Sequence, residues 1–117
     1  MDERLAKALD FSNYMVTLNH QKRILKERFR EQSIFYYAGS QFTVNKELLT
    51  FVSMLIDKGS DKDVVLVDDN EIPVMIDDLE AFQDEITDVY FSAANEFFTR
   101  YEKLKKNRSV EKLTGHE

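Results

Sequence analysis

From Glu3 to Tyr37 the chain holds neither Gly nor Pro, and its large apolar side chains recur every seven residues. Phe11, Leu18 and Leu25 form one row, and Ala8, Met15, Phe29 and Tyr36 form a second row offset by four, which Lys22 interrupts. The pattern predicts one long helix with a coiled-coil-like seam. At 1.5 Å per residue such a helix extends roughly 50 Å, more than a domain of this length needs, so part of the seam is expected to meet another long helix or another chain. Phe11, Met15, Leu18, Leu25 and Phe29 are the expected oligomer interface of a dimer or higher assembly. Lys22 is expected to lay its aliphatic stem along the seam with its ammonium in water.

Ala38-Gly39-Ser40 is expected to end this helix, since Gly just past the last periodic residue is the usual left-handed cap. Gln41 to Val44 alternates as a short strand does, and Asn45 can cap a helix that runs to a stop at Gly59. Val64 to Val67 and Ile72 to Ile76 are β-branched runs joined by Asp68-Asp69-Asn70-Glu71, the pattern of a hairpin with an Asx-rich turn. Pro73 marks the second run as an edge. Asp77-Asp78-Leu79-Glu80 supplies an acidic cap for a last long helix with the stripe Leu79, Phe82, Ile86, Val89, Tyr90, Ala93, Phe97, Tyr101 and Leu104. The expected class is α+β and mostly helical, in the order α-β-α-β-β-α. It would consist of two long antiparallel helices, a short helix, and a small hairpin or three-stranded sheet. Residues 1–106 are expected to form one domain and residues 107–117 a flexible basic tail.

The 117 residues include no Cys, which excludes disulfide scaffolds, thiolate zinc sites and cysteine nucleophiles. The formal net charge is −6, which opposes generic phosphate contact. Charge is also segregated: residues 57–88 carry twelve acids against Lys58 and Lys62. No apolar run reaches the length of a membrane span, and the first residues lack the pattern of a secretory signal, so a soluble intracellular protein is expected.

Several groupings invite chemistry. Asp68 to Glu71 gathers oxygen ligands but lacks the spacing and Gly of a calcium loop, and turn preference explains it. His20 and His116 are the only imidazoles, too far apart in sequence to suggest a shared metal site. No Gly-x-Ser-x-Gly elbow or Gly-rich phosphate loop is present. No cofactor, metal or catalytic residue is therefore expected, and the chain is read as a non-enzyme. Lys22, Arg23, Lys26 and Arg30, helped by Lys103, Lys105, Lys106 and Arg108, form the best alternative surface, one for nucleic acid in a small regulatory protein. Nine Phe and five Tyr are more rings than one helix stripe can bury. Tyr36, Tyr37, Phe97 and Phe98 are accordingly expected to contact a protein partner.

Residues 37–106 also resemble a small domain of unknown function found in proteins of tailed bacteriophages, often at the carboxyl end of tail-fibre-assembly-type proteins. The likeness lies in Gly39, the Phe42 to Val44 strand, the helix to Gly59, Asp69-Asn70 followed by Ile72, Val74 and Ile76, and the helix from Asp77 with Tyr90, Ala93 and Ala94. Where many members carry Trp in the first hairpin strand, this chain has Val64 to Val67. The whole chain is similar in style to short proteins of T-even-like marine phages. The resemblance implies a virion, tail-associated or assembly role without catalytic residues. It further implies a phage structural or assembly protein as partner; self-association is expected from the long-helix seam, no membrane partner is expected, and net acidity makes nucleic acid the less favoured partner. The implied location is the cytoplasm of the infected host cell or the virion.

Overall fold

The computed structural model describes the backbone of residues 2–114 and the side chains of residues 2–107. Its elements are α1 (Glu3–Gln32), β1 (Ile34–Tyr37), β2 (Ser40–Thr43), α2 (Lys46–Asp57), β3 (Lys62–Val67), β4 (Pro73–Asp78) and α3 (Leu79–Thr114). The class is α+β and mostly helical with long first and last helices, as expected. The chain divides into two compact units, residues 29–96 and residues 1–28 with 97–117.

Two expectations about the order of elements are corrected. The first helix ends at Gln32, not Tyr37, and residues 34–37 form an additional strand. Buried Ser33 makes the transition. Its N–H donates to the Phe29 and Arg30 carbonyls and its Oγ donates to the Phe29 carbonyl at 2.7 Å, closing the last turn. There is also no three-stranded sheet among the described residues: β1 pairs only with β2, and β3 only with β4, each pair antiparallel.

The β1–β2 hairpin turns on two residues, Ala38 and Gly39, at φ +49° and +81°. Positive φ at both centres is the type I′ geometry that matches strand twist. Gly39 adopts it freely, whereas the Ala38 Cβ crowds its own carbonyl. Ala38→Asn is expected to stabilise the protein by about 0.5–1 kcal/mol, because Asn tolerates the left-handed region. A urea midpoint that stays put or falls would contradict this assignment of the turn.

α2 has the ends that were expected. The Asn45 Oδ1 accepts from the Leu48 N–H at 2.8 Å, the usual N-cap bond. At the other end Gly59 sits at φ +87°, with Ser60 N–H bonded to Leu55 O and Gly59 N–H to Ile56 O, both at 2.9 Å. That pair of bonds is a Schellman cap. α3 is capped by Asp78, whose Oδ1 accepts from the Glu80 and Ala81 N–H groups.

The core lies within residues 29–96. Phe42, Val44, Val52, Leu66, Val74, Ile76, Leu79, Phe82 and Ile86 form one buried cluster that joins both hairpins, α2 and the first turns of α3. Phe82 is its centre, meeting Phe35, Tyr37 and Phe42 edge-on at centroid distances of 5.8, 5.6 and 5.3 Å. Strand alternation explains why Phe35 and Tyr37 share Phe82 while Tyr36 between them stays exposed.

The β3–β4 turn is built by its acids. Buried Asp68 accepts at Oδ1 from the Asn70 and Ile72 N–H groups, and Glu71 takes the left-handed position at φ +63°. Asp69 reaches across to β2. Its N–H donates to the Gln41 carbonyl, and its carboxylate accepts from the Thr43 N–H, the Thr43 hydroxyl at 2.7 Å and the Gln41 side-chain amide. Burial acts to raise its pKa, but the Thr43 and Gln41 hydrogen bonds outweigh burial and hold the carboxyl below its ordinary value.

A lowered carboxylate pKa contributes stability above the unfolded value, and that contribution is lost as pH falls through the folded one. Asp69→Asn is therefore expected to cost about 1 kcal/mol at neutral pH, discounted for solvent exposure. The stability gap between variant and wild type should shrink as pH falls through the lowered folded-state pKa and close once Asp69 is protonated in the folded wild type. A gap of constant size over that fall in pH would show that the carboxylate's charge contributes nothing.

Candidate interaction surfaces

α1 is amphipathic in two directions at once. With about 100° between successive residues, Phe11, Met15, Leu18, Leu25 and Phe29 share one face. Of these Leu18 is buried, Met15, Leu25 and Phe29 are half-buried, and Phe11 remains exposed. Leu18 is the one residue in α1's apolar seam that the chain itself covers fully.

The opposite face holds Leu5, Leu9 and Val16, which lie about 140–180° around the helix from Leu18. Leu9 and Val16 keep 46% and 66% of their surface exposed, and Leu5 is similarly open. This second stripe was not singled out from the sequence. Its signal was present in the spacing of Leu5, Leu9 and Val16, but the longer heptad rows on the other side dominate the pattern. A helix apolar on two faces needs two sets of neighbours.

The cationic residues continue the second stripe. Leu9, Val16, Arg23 and Arg30 are spaced by seven, and Arg23, Lys26 and Arg30 are all exposed, while Lys22 is half-buried. The stem of Lys22 on the Leu18 side fits the expected arrangement of a partly covered lysine. Arg23 donates to His20 Nδ1 at 2.8 Å. His116 and Arg108, also named from the sequence, lie outside the residues whose side chains are described. A shallow groove in this unit is lined by Gln21, Ile24 and Leu25 of α1 and by Arg100, Lys103, Leu104 and Asn107 of α3.

The four aromatic residues expected to contact a partner fall into two classes. Tyr36 and Phe98 are exposed, at 65% and 66%. Tyr37 is half-buried and packs on Phe82, and Phe97 is half-buried on α3. The pairs are adjacent in sequence for different reasons: Tyr36 and Tyr37 alternate across a strand, whereas Phe97 and Phe98 sit about 100° apart on a helix.

No protein-family model, curated protein or solved structure matches this chain. The surfaces themselves therefore carry the functional reading.

Within residues 29–96 a groove runs between α2 and α3, about 580 Å³ and wide open, with Leu49, Met54 and Phe91 among its lining. Asp57 and Lys58 are the charged residues among its lining. Phe29, Val44 and Tyr90 line a second, smaller recess with Asn45, Lys46 and Glu47. Among the described residues no three His, Asp or Glu side chains converge as a metal site would require. No helix among them is long and apolar enough to cross a membrane.

Proposed function

We propose that this chain is a non-enzymatic protein-binding component that works as a homo-oligomer assembled through α1. The observation that carries the reading is the state of that helix. Leu18 alone is buried among its apolar residues, while Leu5, Leu9, Phe11, Val16 and Ile24 are each between 46% and 66% exposed. Covering a half-exposed side chain of this size contributes about 1 kcal/mol, so a second chain gains from each of them. The heptad rows point to self-association of the same helix, but through the Leu18 face, opposite Leu9 and Val16.

The resemblance of residues 37–106 to the phage domain supports a setting for this activity: a tail-associated, virion or assembly protein in the infected host cell or in the virion. Exposed Tyr36 and Phe98 then serve as the contacts to a phage structural or assembly protein, because large open rings are the side chains that anchor protein interfaces. The formal net charge of −6 argues against the nucleic-acid alternative at Lys22, Arg23, Lys26 and Arg30.

Co-expression of a tagged and an untagged copy tests the reading. The untagged copy is expected to co-purify in comparable amount with the tagged one, and the complex to carry no nucleic acid at physiological salt. Recovery of the tagged copy alone would refute self-association. Salt-sensitive recovery of DNA or RNA would favour the regulatory alternative.

A further inference from the structure

The β3–β4 hairpin has an apolar face that the core does not use. Leu66, Val74 and Ile76 are buried in the cluster described above. Alternation turns Val65, Val67, Pro73 and Met75 the other way, and the register sets Val65 opposite Met75 and Val67 opposite Pro73. Val65, Val67 and Met75 each keep more than half of their surface exposed. The solvent face of an antiparallel pair ordinarily carries polar residues, so four apolar side chains in two facing pairs call for a cover.

Charge says what the cover must be. Asp77 follows Met75 on the same outer face of β4, Asp63 lies in β3 between the paired residues Lys62 and Val64, whose partners Asp78 and Ile76 flank Asp77, and residues 61–78 hold seven acids against Lys62 alone. A second hairpin laid on this face would set carboxylate against carboxylate. The complement is an apolar stripe with a cationic end.

The chain carries such a stripe on α1. Leu9, Val16 and Arg23 follow one exposed line at heptad spacing, and Lys26 lies one turn from Arg23. The rise from Val16 to Arg23 is about 10 Å along a helix, and Met75 and Pro73 lie about 7 and 13 Å from Asp77 along β4. The helix spacing thus falls between the two strand spacings.

We propose that the Leu9–Val16 face of α1 docks on the outer face of the β3–β4 hairpin of a second copy, with Arg23 and Lys26 against Asp77 and Asp63. This rests on the self-association reading and names the surface that α1 meets. Each copy carries both halves of the contact, so two copies can exchange them reciprocally, or more copies can close a ring.

Sedimentation velocity on charge-reversed variants tests the pairing. Arg23→Glu and Asp77→Lys are each expected to weaken self-association about tenfold, and Val65→Lys at least as much. An equimolar mixture of the Arg23→Glu and Asp77→Lys proteins is expected to recover association. In that mixed pair one contact is native and the other has both charges reversed. Far-UV circular dichroism verifies that every variant keeps the wild-type fold. A wild type that sediments as a monomer overturns both the self-association reading and this docking. A wild-type oligomer that is unchanged by Asp77→Lys and Val65→Lys overturns the docking alone. So does a mixture that stays as weak as its components.

Discussion

Phe82→Ala is expected to lower the stability of the protein by about 3–5 kcal/mol, a large part of what a domain of this size has. The ring is 1% exposed. From α3 it meets aromatics of both strands of the first hairpin, Phe35 and Tyr37 on β1 and Phe42 on β2. Truncation removes the transfer free energy of a buried ring and leaves a cavity among three other rings, which cannot all collapse into it. Phe82→Leu fills more of that space and should cost roughly half as much. Urea unfolding followed by far-UV circular dichroism measures both. A cost below about 1 kcal/mol for Phe82→Ala would mean that the rings do not pack around Phe82 as described.

The second large effect concerns assembly. Leu9→Lys with Val16→Lys is expected to convert the oligomer to monomers at micromolar concentration without changing the fold. Both positions are open in the single chain, so the substitutions bury no charge there, and Lys is a good helix former. In the assembly the same two ammonium groups would have to leave water against an apolar partner, which costs several kcal/mol. The control is Leu18→Ala. That residue is 3% exposed within the chain, so its truncation should act on monomer stability by about 2–5 kcal/mol. Dissociation caused by Leu18→Ala in a protein that remains folded, and not by the lysine pair, would return the interface to the Leu18 face.

Much of residues 29–96 was legible because local chemistry and global packing agree there. Asn45 and Gly59 bound α2 as cap chemistry requires, the Val64–Val67 and Ile72–Ile76 runs pair across an acidic turn, and the stripe Leu79, Phe82, Ile86 and Ala93 is the buried face of α3. The first hairpin was hidden by a coincidence of period. Tyr36 lies seven residues after Phe29 and so continues a helical row, while Ala38-Gly39 suits a helix end as well as a two-residue strand turn. What distinguishes the two is the inward alternation of Phe35 and Tyr37 onto Phe82, a contact 45 residues or more away in sequence that no local window contains.

The surfaces were less legible than the core. Heptad rows located the Leu18 face of α1, but a helix with apolar residues on opposite sides gives no single period to read, and Leu5, Leu9 and Val16 emerge only once exposure is known. The acidic turn makes the Asx-type bonds that its residue types favour, Asp68 accepting from the Asn70 and Ile72 N–H groups. Its reach to Gln41 and Thr43, which makes Asp69 a clasp between two hairpins, depends on tertiary placement.

Molar mass in solution decides whether this chain assembles with itself through α1. Light scattering on the wild type at micromolar concentration and physiological salt is expected to give at least twice the chain mass of 13.8 kDa. A mass of one chain, unchanged as concentration rises, would contradict the account.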